Sequence, residues 1–211
     1  MAFVRPTGFD DLPLLLTARG YAVFEADMPI FGSDSSPPND THVPQLVANA
    51  EAAIAQLVEI GVASRDRVAI GGHSYGAAMA ANLLAHSDLF RTGIALSGAY
   101  NRTLTPFGFQ ASERRSFWEA PEAYLAMSPF VHADQINEPI LLVHGAADNN
   151  SGTLPMQSER LYSALSGLGG KARFVLLPFE GHQYRARESL MHLMWEMDRW
   201  LRIHLQERAG E

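Results

Sequence analysis

The chain has 211 residues, 47% of them hydrophobic and 18% charged, which suits one soluble globular domain with a substantial core. A net charge of -7 and a single lysine, Lys171, argue against a nucleic-acid partner, because neutralising phosphates takes clustered Lys and Arg. The absence of cysteine excludes disulfides, thiol nucleophiles and thiolate-held metals, and no apolar run resembles a signal peptide or reaches membrane-spanning length. The expectation is a cytoplasmic domain with no membrane partner.

Residues 1–11, with Pro6 and Gly8, read as a loop. Leu12 to Arg19 is a short helix stopped by Gly20. Tyr21 to Ala26 is expected as a mostly buried strand, and Pro29 to Asp40 as a loop rich in Pro, Ser and Gly. A helix from Pro44 to Ile60 carries Leu46, Ala50, Ala53, Ile54 and Leu57 on one face and ends at Gly61. Arg67 to Gly71 is the next strand, followed by a small apolar helix from Ala77 to Ala85. Further strands are expected over Gly93–Ser97, Pro139–His144 and Ala172–Leu177, with helices over 155–166 and from Arg185 to Gln206. Residues 99–135 break this alternation with Pro106, Gly108, Pro121 and Pro129; they read as an insertion of two short helices overhanging the site. Repeated β-α units with continuously apolar strands indicate an α/β fold, a mostly parallel sheet with helices on both faces, in a single domain over 1–211.

The second strand runs straight into Gly72-His73-Ser74-Tyr75-Gly76 and then a helix. This is the G-x-S-x-G pattern of the nucleophile elbow in α/β-hydrolases: a sharp turn lifts the serine hydroxyl above the sheet, and the new helix brings free N–H groups to where a negative oxygen would form. In such sheets sites gather outside the C-terminal strand ends. Ser74, Asp148 and His182 follow the ends of the second, fourth and fifth expected strands, in the chain order these hydrolases use. Each residue alone has an ordinary explanation as a turn serine, a capping aspartate or a loop histidine. Together they supply a nucleophile, a base to take its proton and a carboxylate to orient the base, with the Tyr75 N–H as one oxyanion donor. His73 is expected to pack or hydrogen-bond beneath the elbow. His42, His86, His132, His192 and His204 read as structural or solvated, and His144, near Asp148, has no zinc-ligand spacing. No cofactor or metal is called for. A dinucleotide site at Gly71, Gly72 and Gly76 is disfavoured by spacing that departs from G-x-G-x-x-G and by the missing acidic partner at the next strand's end.

The stretches Gly71 to His86, Ser97 to Gln110, His144 to Asn150 and Gly181 to Trp200 resemble the catalytic domain of prolyl oligopeptidase-type serine peptidases, nearest the glutamyl endopeptidase branch. The resemblance implies an α/β-hydrolase fold with Ser74 as nucleophile, Asp148 as acid and His182 as base, in agreement with the residues read above. It implies a peptide substrate, with a small ester as the alternative for a carboxylesterase on the same triad, and an inactive or partner-dependent fragment as the non-enzymatic alternative. Ala99, Tyr100 and Arg102 would border the specificity pocket and Asn150 would lie near a substrate carbonyl. Arg102 suits a glutamate side chain through a bidentate pair, or pairs with a local acid or faces solvent. The resemblance also implies that the N-terminal strands of the hydrolase sheet are lacking, including one between Tyr21–Ala26 and Arg67–Gly71 and the loop that supplies the second oxyanion donor. Homo-oligomerisation or a missing N-terminal segment would then complete the sheet.

Overall fold

The computed structural model describes residues 9, 12–33, 37–108 and 113–206. Most of the loop expected over 1–11, and Phe109 and Gln110, lie outside them. Four parallel strands, β1 (Ala69–His73), β2 (Thr92–Leu96), β3 (Ile140–Gly145) and β4 (Ala172–Leu177), form one sheet in that order. Ala69 pairs with Thr92, Gly93 with Ile140, and Ile140 with Ala172. The helices are α1 (Leu12–Leu15, prolonged by a 3-10 turn over Leu16–Arg19), α2 (His42–Glu59), α3 (Tyr75–His86), α4 (Pro121–Ala126), α5 (Met156–Gly167) and α6 (Arg187–Leu201).

Every residue of β2 and β3 is buried, because helices cover both faces. Alternation along these strands divides the core. Ala95, Ile140 and Leu142 meet Leu46, Ala50 and Ile54 of α2, Ala77 and Ala81 of α3, and Leu161 and Leu165 of α5. Ile94, Leu96, Leu141 and Val143 point the other way, onto Leu12, Leu16, Leu193, Met197 and Trp200. The last helix therefore closes one side of the sheet through Leu193, Met197 and Trp200. Beyond Leu201 that helix loosens into a π-helical turn, Arg202–Gln206.

Two expectations change. Tyr21–Ala26 pairs with no strand among the described residues and is not mostly buried; Phe24 is 57% exposed. A strand needs a hydrogen-bonding neighbour, and β1, the edge nearest to it, is separated from it by a cleft. Within 99–135 the described residues hold one α-helix, α4, and two 3-10 turns, Arg102–Leu104 and Ala133–Gln135, rather than two helices. This segment is tied down by Glu113, whose buried carboxylate accepts from Arg115 and from Asn39, while Arg115 also reaches Asp40 at 2.8 Å.

Candidate active site

Ser74 joins β1 to α3 in a conformation that non-glycine residues rarely adopt, φ 57° and ψ -115°. Its N–H donates to the Leu96 carbonyl at 2.8 Å, and its own carbonyl accepts from Ala77 and Ala78 in the first turn of α3. The turn is possible because a Cβ on Gly72 would overlap the backbone of Gly76. Tyr75 and Gly76 stand at the start of α3, where helical N–H groups have no carbonyl a turn behind them.

His182 sits in the loop between β4 and α6, and its Nε2 is 2.8 Å from Ser74 Oγ. Its Nδ1 is 2.8 Å from Asp148 Oδ2. A carboxylate can only accept, so Nδ1 carries the hydrogen and Nε2 is left to accept from the serine hydroxyl. The carbonyl of His182 accepts from His73 Nε2 at 2.8 Å, with the two rings 4.7 Å apart, which is the role expected beneath the elbow. Glu180 anchors the same loop by accepting from the N–H groups of Arg185 and Ala186 at 2.8 and 2.9 Å. Tyr184 donates to the Val143 carbonyl and accepts from Ser97 Oγ, pinning the loop to β2 and β3.

Asp148 lies in the loop after β3 with its side chain fully buried. Burial works against its ionisation, but the His182 N–H and the Asn150 N–H hold the carboxyl below the ordinary carboxylate value. Oδ2 also receives Thr153 Oγ1 at 3.2 Å and His144 Nε2 at 3.0 Å. His144 is buried, which pushes its imidazole down and keeps it neutral. Its Nδ1 accepts from Ser158 Oγ at 2.7 Å, so Nε2 is the donor, shared between Asp148 and the Thr153 carbonyl. The acid and base loops touch directly: Ala147 N–H donates to the Glu180 carbonyl at 2.8 Å, and a Cβ on Gly145 would strike the backbone of Glu180 and Gly181.

Ser74, His182 and Asp148 are thus brought together in one hydrogen-bonded series. The other sequence-derived residues are placed differently. Ala99 and Tyr100 are buried, Tyr100 within the main core, and the Tyr100 and Asn101 N–H groups are held by Gln157 Oε1. Asn150 contributes its N–H to Asp148, and its side-chain oxygen accepts from Gly152 at 3.1 Å. Arg102 does not face solvent: it is 4% exposed, with its guanidinium 5.2 Å from the Tyr75 ring, and burial lowers its pKa to about 10. Tyr124 and Met127, in and just after α4, pack on Tyr75, so the insertion borders the elbow. Among the described residues no group of three His, Cys, Asp or Glu could hold a metal. Sequence reading missed Thr153, Glu180 and the contact of His144 with Asp148; the i, i+4 spacing of His144 and Asp148 across a strand end was the available signal for the last.

The comparisons with known proteins bear on family and fold. Residues 8–208 match the model of the prolyl oligopeptidase family. The chain is 59% identical over 191 residues to a rice (Oryza sativa subsp. japonica) protein named "Probable glutamyl endopeptidase, chloroplastic", covering 90% of this chain and 20% of that protein. It is 57% identical over 190 residues to the Arabidopsis thaliana protein of the same name, covering 89% and 20%. The chain therefore spans about a fifth of the length of these relatives. The crystal structure of a puromycin hydrolase superposes with a TM-score of 0.68 at 28% identity, over 78% of this chain and 26% of that one. A four-stranded parallel sheet with an elbow at Ser74 thus goes with a family match over almost the whole sequence: the chain belongs to the prolyl oligopeptidase family.

Proposed function

We propose that this chain is the catalytic part of a serine peptidase working through an acyl-enzyme. The observation that carries the reading is the unbroken series Ser74 Oγ–His182 Nε2–His182 Nδ1–Asp148 Oδ2, with both links at 2.8 Å. Ser74 Oγ attacks the scissile carbonyl carbon while its proton passes to His182 Nε2. The carbonyl oxygen becomes an oxyanion facing the Tyr75 N–H at the positive end of α3. Collapse of the tetrahedral species breaks the C–N bond, and the leaving amine takes the proton from His182 Nε2. Water then attacks the ester carbonyl, His182 accepts the water proton, and its return to Ser74 releases the acid. Asp148 stays ionised throughout and stabilises the imidazolium.

Cleavage after glutamate is the finer reading. It is supported by two relatives carrying the name glutamyl endopeptidase and by Arg102 beside Tyr75, next to the nucleophile. A guanidinium behind the elbow would favour a substrate carboxylate. The experiment is labelling with a fluorophosphonate, followed by hydrolysis of matched peptides with glutamate or glutamine before the scissile bond and of a p-nitrophenyl ester. Labelling that survives Ser74→Ala unchanged, or no labelling of folded protein, defeats the peptidase reading. Equal rates on the two peptides, or ester hydrolysis alone, defeat the glutamate or the peptidase assignment respectively.

A further inference from the structure

Thr153 lies in the loop between β3 and α5 and is 5% exposed. Its backbone is fixed on both sides without help from its side chain. The N–H donates to the Asn150 carbonyl at 3.0 Å, and the carbonyl accepts from His144 Nε2 at 2.6 Å. The side chain is thereby held against two members of the series described above, with Oγ1 3.2 Å from Asp148 Oδ2 and 3.0 Å from His182 Nδ1. An ionised carboxylate can only accept, so the Thr153 O–H points to Asp148. The hydroxyl lone pairs then face His182 Nδ1. The hydrogen on that nitrogen, which Asp148 holds at 2.8 Å, is shared between two acceptors.

Asp148 is a crowded acceptor. Oδ2 receives His182, His144 and Thr153 together, while Oδ1 receives the Asn150 N–H. Each donor draws on charge that would otherwise act on the imidazolium formed when Ser74 gives up its proton. The Thr153 hydroxyl compensates, because a group that donates to a carboxylate becomes a better acceptor itself; hydrogen bonds in series polarise one another. We infer that Thr153 is a positioning residue for the base: its hydroxyl is a second acceptor for the His182 Nδ1 hydrogen and keeps the imidazole in the tautomer that leaves Nε2 to Ser74, even without Asp148. The inference rests on the proposed role of His182 and deepens it. Thr153 acts through that ring and not on the substrate.

The test compares Thr153→Val, which keeps the shape and removes the hydroxyl, with Thr153→Ser, which keeps the hydroxyl, and with Asp148→Ala alone and combined with Thr153→Val. Ring nitrogen-15 shifts of neutral His182 report which nitrogen carries the hydrogen, and fluorophosphonate labelling reports the nucleophile. In Asp148→Ala the hydrogen should stay chiefly on Nδ1, and in the double variant it should spread over both nitrogens. Thr153→Val alone should slow labelling about five- to ten-fold, the worth of one hydrogen bond, and Thr153→Ser should label within about two-fold of the parent. A spread tautomer in Asp148→Ala itself overturns the inference, and that spectrum decides the matter even if Thr153→Val does not fold. Unslowed labelling in Thr153→Val, or Thr153→Ser as slow as Thr153→Val, overturns it too and reduces Thr153 to a packing residue. Failure of the base assignment would look different: labelling would then be unchanged in His182→Ala.

Discussion

His144 Nε2 lies 3.0 Å from Asp148 Oδ2, the same oxygen that receives His182. A second, fully buried imidazole therefore holds the carboxylate from behind. His144→Ala removes a donor to a charged acceptor, an interaction of about 1.5–3 kcal/mol. The expected outcome is a fall of about ten-fold or more in fluorophosphonate labelling at pH 7. The acid limb should move to higher pH, because a carboxyl with one donor fewer takes up its proton earlier. His144→Gln, which keeps an N–H donor, should recover part of the rate. A variant with a wild-type pH profile would reduce His144 to a packing residue.

His182→Ala should lower labelling of Ser74 by about a thousand-fold or more, since serine without its base is a weak nucleophile. Circular dichroism should be unchanged, because the loop keeps its Glu180 and Tyr184 anchors. An unaffected labelling rate would remove His182 from the base role and leave the elbow intact.

The two elbow glycines should respond differently to alanine. A Cβ at Gly72 meets the backbone of Gly76, which cannot move without shifting α3, whereas a Cβ at Gly76 meets nothing within 4 Å. Gly72→Ala should cost about 1–3 kcal/mol in urea unfolding. Gly76→Ala should be neutral or stabilising by up to about 1 kcal/mol, as expected inside a helix. Equal losses at both positions would contradict this packing.

Burial, with Arg102 nearby, pushes the His42 imidazole from its ordinary 6.5 down to about 4. The unfolded chain then binds more protons than the folded one between those values, so stability is full above pH 6.5 and falls as pH drops toward 4, by about 3 kcal/mol at most. Glu113 adds loss in a lower window. Burial opposes its ionisation, but Arg115 and Asn39 hold it at about 2, so its contribution is present above pH 4.5 and disappears toward pH 2. Urea midpoints at pH 7, 5.5 and 4.5 should decline stepwise in the parent and less steeply in His42→Gln. Parallel slopes would assign the decline to other groups.

Much of this architecture was legible because it is local and periodic. The paired strands, α2, α3 and α5 lie within two residues of their expected bounds. Ser74, His182 and Asp148 were legible from chain order, since each stands just beyond a strand end. Tyr21–Ala26 was not, because alternation makes a segment fit for a sheet without providing its neighbour. Thr153 and the inward position of Tyr100 were hidden for a different reason: both depend on how loops fold back on the strands, and spacing does not encode that. The burial of Arg102 beside the Tyr75 ring likewise depends on tertiary packing that its sequence neighbours do not encode.

The contact of Gly145 with the Glu180–Gly181 backbone bears on how such a chain can change over generations. The loop carrying Asp148 and the loop carrying His182 share one space with no slack. Residues gained, lost or enlarged in either loop must be answered in the other before both can keep their register with Ser74. The two loops are thereby constrained as a pair wherever their backbones meet at Gly145.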